Sequence, residues 1–543
     1  MLTEAEARLD RHGEMRQERA IEEPHWRDIA LLFRPDDRDF DAHVQRRRDD
    51  TAIFDATQIY ALDNFAGGLF SQMTNPMNKW MGLGIADKDL EKYPPVKQWL
   101  FRHATKVLAT FSDAVSPFYA EVPAWYSNIG AFGWGAMYSE ELVGQAKIAD
   151  RAIPIGESFI GTDAQGFVNE FHREFSLTGR QAKGMRDTGG CWCDDPLISK
   201  TDDKARKVFV HSVWPNPDYV PGRLGQRGAQ FLSAYVSPDA SGFYREAFYY
   251  EMPFSVPFWN RRSGRAYPTG PGHIARSDAA MLQEMERSHI VAAQFAAEPV
   301  YLVHDKSVIS AGDIEPNAVL YGTMNRDNGK QLIDTLERRS DIKLSLAQSE
   351  QRRNAIRQAF LFSILQLLNR PEMTATEFLG FSKEFLQLAA PNLVRIQQGG
   401  LSPLIARRFK ILQRAGAIEP PPPELAGHAI NIEYVSPLDK LMKVAEAQGV
   451  QQWLGAILPI CQVDPEAVDN VDTDRTIAIL ADGFVTDPSV LRDPAVVAQR
   501  RQARAQAQAQ AAKMQAIEQA ANVGATVSHA QQAATLAKKR VAA

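Results

Sequence analysis

The strongest constraint on the fold is a pair of helical patterns between residues 348 and 414, separated by a short break at 369–373. Apolar residues recur four positions apart in the first arm, at Ile356, Phe360, Ile364 and Leu368. This spacing is typical of one face of an α-helix. Pro391 lies inside the second arm, where a proline removes a backbone donor and predicts a kink. No enzyme-site pattern occurs here, and we interpret the stretch as a mechanical element.

The second arm carries its own start signal. Thr374 is followed three residues later by Glu377, which is the spacing of a capping box, where each side chain accepts from the backbone amide of the other residue. Three phenylalanines then share one face: Phe378, Phe381 and Phe385. The sequence therefore predicts a second long helix that is kinked, and Gly399 and Gly400 are expected to break it early.

Three arginines lie beside the apolar face of the first arm: Arg352, Arg353 and Arg357. Such residues either line a passage or pair with acids on a neighbouring subunit, and pairing is the commoner arrangement. The break at 369–373 is likewise either a loop that projects into a channel or an ordinary connection between helices. The sequence leaves these interpretations open.

Length and charge exclude several classes of protein. At 543 residues the chain is too long for one compact core, so several lobes are expected. The formal net charge is −5, which argues against a general nucleic-acid binder, although a weakly acidic protein can still handle DNA that must pass rather than bind. The charged N-terminus is not a secretory signal, and the apolar run 359–368 is too short to span a bilayer. We therefore expect synthesis in the cytoplasm.

Motifs for catalysis and metal binding are missing from the sequence. No G-x-x-x-x-G-K-[ST], H-E-x-x-H or G-x-S-x-G occurs. Residues 133–135 begin like a dinucleotide fingerprint, but Tyr138 stands at its third glycine, so close packing explains these glycines better. Cys191 and Cys193 have no second ligand cluster, and three cysteines cannot form a disulfide framework. We expect no catalytic residue, no metal and no cofactor.

Helical patterns dominate the first part of the chain. Residues 1–34 predict one or two helices. Their apolar stripe consists of Trp26, Ile29, Ala30 and Phe33. Further helices are predicted at 55–71 and 96–119. The segment 36–50 is rich in Asp and Arg and is expected to be an exposed loop.

From residue 137 to 260 the pattern changes to short apolar and alternating runs between turn signals, which predicts antiparallel strands. The clearest run is 208–214. We interpret His211 within it, and His289 further along, as packed or surface histidines.

A helix, a small insert and a second helix follow one another in the middle of the chain. The first helix is predicted over 277–297 with Ser277 or Asp278 as its cap. The insert, 300–341, contains strand-like runs. These runs are 300–303 and 318–321. The second helix leads out of the insert, so the two helices are expected to lie antiparallel.

The C-terminal part is predicted to be helical, and its tail is basic. A stiff proline spacer at 420–423 precedes helices predicted over 438–490. The tail from residue 500 is rich in Ala and Gln and has seven basic residues against one acid. They are Arg500, Arg501, Arg504, Lys513, Lys538, Lys539 and Arg540. Either they touch nucleic-acid phosphates or the tail is a solvated helix, and both interpretations stay open.

Several segments in a fixed order resemble one known family. The sharper ones are 26–35, 67–76 with Trp80, 130–135, 373–377, 401–405 with Arg408-Phe409, and 434–438. The likeness as a whole covers most of residues 15–500. In these segments the chain resembles the portal, or head-to-tail connector, proteins of short-tailed bacteriophages.

The resemblance implies an α+β, mainly helical portal fold with wing, stem, clip and crown, assembled as a dodecameric ring. It also implies a division of the chain. The regions are 1–275 wing, 276–298 first stem helix, 299–341 clip, 342–368 second stem helix, 369–399 tunnel loop and kinked helix, 400–495 crown, and 496–543 a basic tail that is either a helical barrel or disordered.

The function implied is that of a ring at one capsid vertex of the virion, through which DNA is packaged and ejected. The implied partners are further copies of the chain, double-stranded DNA, terminase, tail adaptor proteins and capsid protein. Candidate DNA contacts are Arg353, Arg357, Asn369, Arg370 and Glu372 in the channel, and Arg500, Arg501, Arg504 and Lys513 in the tail. The alternatives are a DNA-packaging enzyme or nuclease of unrecognised type, and a scaffold or adaptor without a channel.

Overall fold

The computed structural model describes residues 3–35, 53–91, 93–113, 116–142, 147–187, 204–238, 243–297, 301–303, 333–335, 342–360, 390–434, 447–457, 459, 471–483, 492, 496–514 and 534–536. The chain divides into two compact units. The first consists of Met1–Met81, Lys106–Glu419 and Tyr434–Leu438, and the second of Gly82–Thr105, Pro420–Glu433 and Asp439–Ala543.

The first unit begins with three helices: α1 (Glu4–Ala20), α2 (Glu23–Phe33) and α3 (Thr57–Met73). This confirms the helices predicted over 1–34 and 55–71. Helix α1 starts with a capping box, because Thr3 N donates to Glu6 at 2.7 Å and Glu6 N donates to Thr3 Oγ1 at 3.3 Å. The predicted apolar stripe of α2 is buried, as expected. The predicted loop 36–50 lies outside the described residues.

The region predicted as a helix or pair at 96–119 contains nearly all of α5 and the start of α6. Helix α5 is Pro94–Phe111, after the single turn α4 (Lys88–Glu91), and α6 is Phe118–Phe132. Gly133 ends α6 in the left-handed conformation at φ 84°. A Cβ on Gly130 would come within 2.8 Å of side-chain atoms of Leu62 and Phe65, so close helix packing requires this glycine.

The predicted antiparallel strands are confirmed in two sheets. One has the order β3-β2-β9, with β2 (Ala136–Leu142), β3 (Lys147–Ile153) and β9 (Phe254–Ser255). The other has five antiparallel strands in chain order: β4 (Ser158–Thr162), β5 (Val168–Thr178), β6 (Arg206–Pro215), β7 (Phe231–Val236) and β8 (Arg245–Tyr249). Helix α7 (Gly179–Asp187) follows β5. Strand β6 contains the predicted run 208–214.

Helix α8 spans Pro271–Ala297 and begins six residues earlier than the sequence predicted. Pro271 is favourable in the first turn, where a backbone N–H would have no helical partner. Ser277 and Asp278 therefore lie inside the helix and do not cap it, and Asp278 binds Arg352 instead. The predicted cap was wrong because a polar residue ahead of an apolar run resembles a helix start even when the helix has already begun.

The insert after α8 contains a small hairpin. Strand β10 (Tyr301–Val303) pairs antiparallel with β11 (Ile333–Thr335). The strand predicted at 300–303 is thus confirmed, and the one at 318–321 lies outside the described residues. Helix α9 (Ile342–Ala359) leads out of the insert. Since the hairpin joins neighbouring ends of α8 and α9, and ion pairs join the two helices, they lie antiparallel, as predicted.

The chain from residue 390 to 414 is continuously helical. Helix 390–396 passes into a π-helical turn, Gln397–Leu401, and then into α10, Ser402–Arg414. The expectation that Gly399 and Gly400 break the helix is wrong, because the two glycines lie inside the π turn. The Thr374 capping box and its phenylalanine face belong to residues that the structure does not describe, so the kinked helix stays a prediction.

The second unit combines a small sheet with helices. Strand β1 (Met81–Ile85) pairs with β12 (Ile430–Tyr434). In the proline spacer Pro422 is extended, with φ −54° and ψ 149°, before a single 3-10 turn at Pro423–Leu425. Helix α11 spans Thr473–Gly483, and residues 447–457 and 496–514 are also helical. Helices predicted over 438–490 are confirmed where the chain is described.

Helix α1 is held on the five-stranded sheet by charged side chains. Arg11 Nε donates to Glu170 on β5 at 2.9 Å, and His12 Nε2 lies 2.8 Å from Glu174 Oε2. His172, between these two acids, is fully buried, and its Nε2 lies 3.4 Å from Glu170 Oε1. Burial raises the pKa of Glu170, but His172 and Arg11 outweigh it and lower this pKa to about 2. Burial lowers the pKa of His172 to about 4.

We predict that this contact loses stability in mild acid. Because the pKa of His172 is lowered from 6.5 to about 4, the folded state excludes a proton that the unfolded chain binds. Stability should therefore fall as pH drops from 6.5 towards 4, by on the order of 3 kcal/mol. The lowered pKa of Glu170 adds a further loss as pH drops from 4.5 towards 2.

Thermal unfolding midpoints between pH 7 and pH 4 check this prediction. The midpoint of His172→Gln should fall less over this interval than that of the wild type, because glutamine does not titrate. An equal fall in both proteins would show that His172 is not the responsible group.

Candidate functional site

Helices α8 and α9 form a charged pair. Asp278 on α8 accepts from Arg352 Nη1 at 2.8 Å, and Glu286 on the same helix accepts from Arg353 Nη2 at 2.8 Å. Both donors lie on α9. The contacts hold the two helices in one register, since a shift of either helix by a turn would move each guanidinium away from its carboxylate.

Arg353 also ties α9 to the start of α3. Its Nε donates to Asp55 Oδ2 at 2.8 Å, and Asp55 Oδ1 accepts from the backbone amide of Thr57 at 2.7 Å. Partial burial raises the pKa of Asp55, but the hydrogen bonds from Thr57 and Arg353 outweigh it and hold this pKa below its ordinary value. Asp55 is therefore a carboxylate that joins three helices: α3, through its first turn, and α8 and α9, through Arg353.

The candidate channel arginines differ in how strongly they are engaged. Arg353 contacts three carboxylates and its side chain is 23% exposed, whereas Arg357 contacts Glu350 at 3.0 Å and its side chain is 36% exposed. The acids that contact Arg352, Arg353 and Arg357 belong to the same chain, whereas the sequence suggested acids of a neighbouring subunit. Contact of these arginines with DNA stays a prediction. The remaining channel candidates, Asn369, Arg370 and Glu372, lie outside the described residues.

One side of α8 carries exposed apolar residues. They are Ile274, Met281, Val291 and Phe295, and the first of them is 69% exposed. They lie on the side of the helix away from Ala279 and Leu282, which are fully buried. A helix with apolar residues on two sides is suited to contacts on both, one within the chain and one outside it.

A buried ion pair attaches α10 to the β3-β2-β9 sheet. Arg408 and Asp150 have no exposed side-chain surface, and Arg408 Nη2 donates to the Asp150 carboxylate. Ser116 Oγ and Ser139 Oγ donate to the same carboxylate, each at 2.6 Å. Arg408 Nη1 donates to the carbonyl of Thr110 at 3.1 Å. Burial lowers the pKa of Arg408, and Asp150 opposes that effect.

The preceding residue, Arg407, is buried beside a second acid. Its Nη1 donates to the carbonyl of Glu251 at 2.9 Å and lies 3.6 Å from Glu251 Oε2. Sequence reasoning missed both arginines as structural groups. The available signal was their place between Ile405 and Ile411 in an amphipathic helix, because charges within an apolar stripe usually have a buried partner.

The basic tail candidates lie on an exposed helix. Arg500, Arg504 and Lys513 are exposed along residues 496–514. Arg501 forms two hydrogen bonds with Asp474 on α11, at 2.8 and 2.7 Å. The helical state of the tail is established for these residues, and contact with nucleic acid stays a prediction.

Within the described ranges, no set of three or more His, Cys, Asp or Glu side chains could hold a metal ion. His211 is fully buried and lies 2.9 Å from Ser233 Oγ, and His289 is partly buried, so both are packed as predicted. Among the helices described, none is long and apolar enough to cross a membrane. Cys191, Cys193 and Cys461 lie outside the described residues.

A family model for the bacteriophage head to tail connecting protein matches residues 5–491. The chain belongs to this family. Two curated relatives agree with the assignment. The portal protein of Salmonella phage epsilon15 is 28% identical over 518 residues, which cover 93% of this chain and 92% of the relative. The probable portal protein of Bordetella phage BPP-1 is 28% identical over 513 residues, which cover 93% of this chain and 91% of the relative.

Solved structures give a weaker likeness to this connector. The neck of an empty gene transfer agent particle, computed with C6 symmetry, is 11% identical, with a TM-score of 0.38, over 75% of this chain and 90% of that one. A native gene transfer agent virion gives 12% identity and a TM-score of 0.34 over 80% and 94%.

We predict that Arg408→Ala destabilises the connector subunit far more than Arg414→Ala. Removing Arg408 leaves the Asp150 carboxylate buried with only two hydroxyl donors, which costs about 3–5 kcal/mol. Arg414 lies on the same helix and pairs with Glu251, but its side chain is 31% exposed, so its removal should cost less than about 1 kcal/mol.

Urea unfolding of the two variants measures the difference. Combining Arg408→Met with Asp150→Leu should recover much of the loss, because no buried charge then remains. Equal destabilisation by Arg408→Ala and Arg414→Ala would show that the buried pair does not anchor α10.

Proposed function

We propose that this connector is one subunit of a portal ring at a single capsid vertex of a short-tailed phage, through which DNA enters and leaves the particle. The observation that carries the proposal is the family match over residues 5–491, together with relatives named as portal proteins over nearly their whole length. The proposed role is structural and needs no catalytic residue, metal or cofactor.

Ring assembly is supported by the exposed apolar side of α8. Burying Ile274, Met281 and Val291 against a neighbouring copy would remove apolar surface from water, which favours association. A contact between two different faces of identical subunits closes into a ring when the rotation per subunit suits. The proposed ring is a dodecamer, and each copy contributes α8 and α9 to its wall.

Each proposed region contains some of the described elements. Residues 1–275 form the wing, which contains α1 to α7 and the larger sheets. Helices α8 and α9 form the stem, and the β10–β11 hairpin belongs to the clip. Residues 369–399 include the proposed tunnel loop, 400–495 form the crown, and 496–543 form the basic tail.

The net charge of the chain supports a channel through which DNA slides. The net charge of −5 disfavours tight binding of DNA, while a few exposed basic residues can contact its phosphates. Arg357 and Arg370 are stronger candidates for phosphate contact than Arg353, whose charge is already balanced by Asp55, Glu286 and Glu350. For the same reason Arg500, Arg504 and Lys513 are stronger candidates than Arg501 in the tail.

The proposed partners follow from the position at the vertex. Terminase docks on the clip side during packaging, tail adaptor proteins dock there afterwards, and capsid protein surrounds the wing. The subunit is made in the host cytoplasm and becomes part of the virion. Double-stranded DNA is the proposed occupant of the channel.

We predict that deletion of 369–373 leaves the ring intact but impairs packaging or retention of DNA. The segment connects the proposed second stem helix to the kinked helix, so its loss should alter the channel wall and spare the outer contacts of α8. Negative-stain microscopy of the purified variant measures the ring, and protected genome per particle measures packaging.

A substitution control separates length from side-chain chemistry. Asn369→Ser, Arg370→Ser and Glu372→Ser together keep the chain length and remove the candidate contacts. Impaired packaging in both variants assigns the effect to the side chains. Normal packaging in the deletion variant would remove the segment from the mechanism, and a wild-type chain without rings would contradict the portal proposal.

A further inference from the structure

The π turn at Gln397–Leu401 contains one residue more than an α-helix needs between the same two ends. The amide of Ser402 donates to the carbonyl of Gln397, five residues back, and the helix on each side is α-helical. Such a turn widens the helix locally and takes up one surplus residue without ending it.

The helix that contains this turn lies along one segment, residues 251–259. Arg395 Nη1 donates to the carbonyl of Trp259 at 2.9 Å, Ser255 Oγ donates to the carbonyl of Gly400, and Arg407 Nη1 donates to the carbonyl of Glu251 at 2.9 Å. The partners appear in reverse order along the two chains. Both α-helical parts therefore dock on the same segment and must present the same side to it.

The buried residues of the two parts would not share one side in an uninterrupted α-helix. Leu393 and Ile396 are buried before the turn. After it, the buried residues of α10 are Leu404, Ile405, Arg407, Arg408, Ile411 and Leu412. At about 100° per residue, the centres of these two sets would be about 70° apart. One surplus residue turns the second part back by about 100°, which brings the two sides together to within about 30°.

The wide turn is itself packed and hydrogen-bonded. A Cβ on Gly400 would come within 2.9 Å of the Trp125 ring and 3.0 Å of the Pro257 ring, whereas one on Gly399 would lie 3.4 Å from the Pro257 Cα. Tyr434 Oη donates to the carbonyl of Gln397 at 3.3 Å. The surroundings therefore fit the wide turn closely at Gly400 and leave ordinary van der Waals room at Gly399.

The two helical parts are not anchored equally. Helix α10 is fixed by the buried Arg408–Asp150 pair, whereas 390–396 is held by Leu393, Ile396 and the half-buried contact of Arg395. A rotation between the two parts would therefore displace 390–396 and leave α10 in place.

We infer that the π turn is a phase adapter, which sets by its residue count the direction in which the chain before residue 390 joins the first unit. The inference deepens the proposed function, because that chain leads from the proposed tunnel loop. The number of residues at 397–401, more than the identity of residue 399, determines the orientation of the chain before residue 390.

Two variants at one position test the inference. Deleting Gly399 removes the surplus residue, whereas Gly399→Ala keeps the count and fits the available space. Hydrogen exchange of the amides of 392–396 should become about tenfold faster or more in the deletion variant and stay at the wild-type rate in Gly399→Ala. Exchange in 404–414 should be unchanged in both, because the Arg408–Asp150 anchor is kept.

A third variant covers the case in which the deletion does not fold. Inserting one alanine between Ile396 and Gln397 produces a phase error of the opposite sign and should also accelerate exchange in 392–396. Wild-type exchange there in either length variant would overturn the inference, as would faster exchange in Gly399→Ala. Electron micrographs of the same preparations test the portal proposal independently. A wild-type chain that forms no rings would contradict the portal proposal, and the hydrogen-exchange rates would still test the inference.

Discussion

The buried pair of Arg408 and Asp150 is the interaction on which the docking of helix 390–414 depends. Two charges without solvent contact are stable only where hydrogen bonds replace water, and here Ser116, Ser139 and the carbonyl of Thr110 supply them. Because this geometry exists in one register only, the pair fixes the position of α10. The position of Gly400 against Trp125 and the phase of the π turn follow from it.

Periodic elements could be predicted from the sequence because their signals are local. The helices at 1–34 and 55–71 each have an apolar face. The strands between 137 and 260 are short apolar or alternating runs bounded by turn signals. The start of α8 was misjudged, since Pro271 begins the helix ahead of the apolar run. The π turn was misjudged as a break, because Gly399 and Gly400 are stabilised within the helix by Pro257 and Trp125, which are remote in sequence.

The candidate site, too, could be predicted only in part from the sequence. Arg352, Arg353 and Arg357 could be recognised as a basic group on a helix, but their partners could not. Asp55 is 298 residues from Arg353, and Asp150 is 258 residues from Arg408. No spacing rule connects positions so far apart, and only the packed chain shows which arginine is neutralised. The exposed apolar side of α8 was hidden for a related reason, since periodicity does not say which of two apolar sides is covered within the chain.

Together, these features describe a connector subunit whose helices are held in fixed positions relative to one another. Ion pairs align α8 with α9, a buried pair fixes α10, and the surplus residue at 397–401 adjusts the helix before it. In the proposed ring each subunit must present the same surface to the axis, and fixed registers between its helices favour this. The exposed apolar residues of α8 are the proposed contact between copies.

A cryo-EM map of the purified chain tests the central claim most directly. We predict a closed ring in which α8 and α9 of every copy line the central channel and the neighbouring copy covers Ile274 and Met281. A map in which the copies meet through other surfaces, with these two side chains facing solvent, would contradict the proposed assembly.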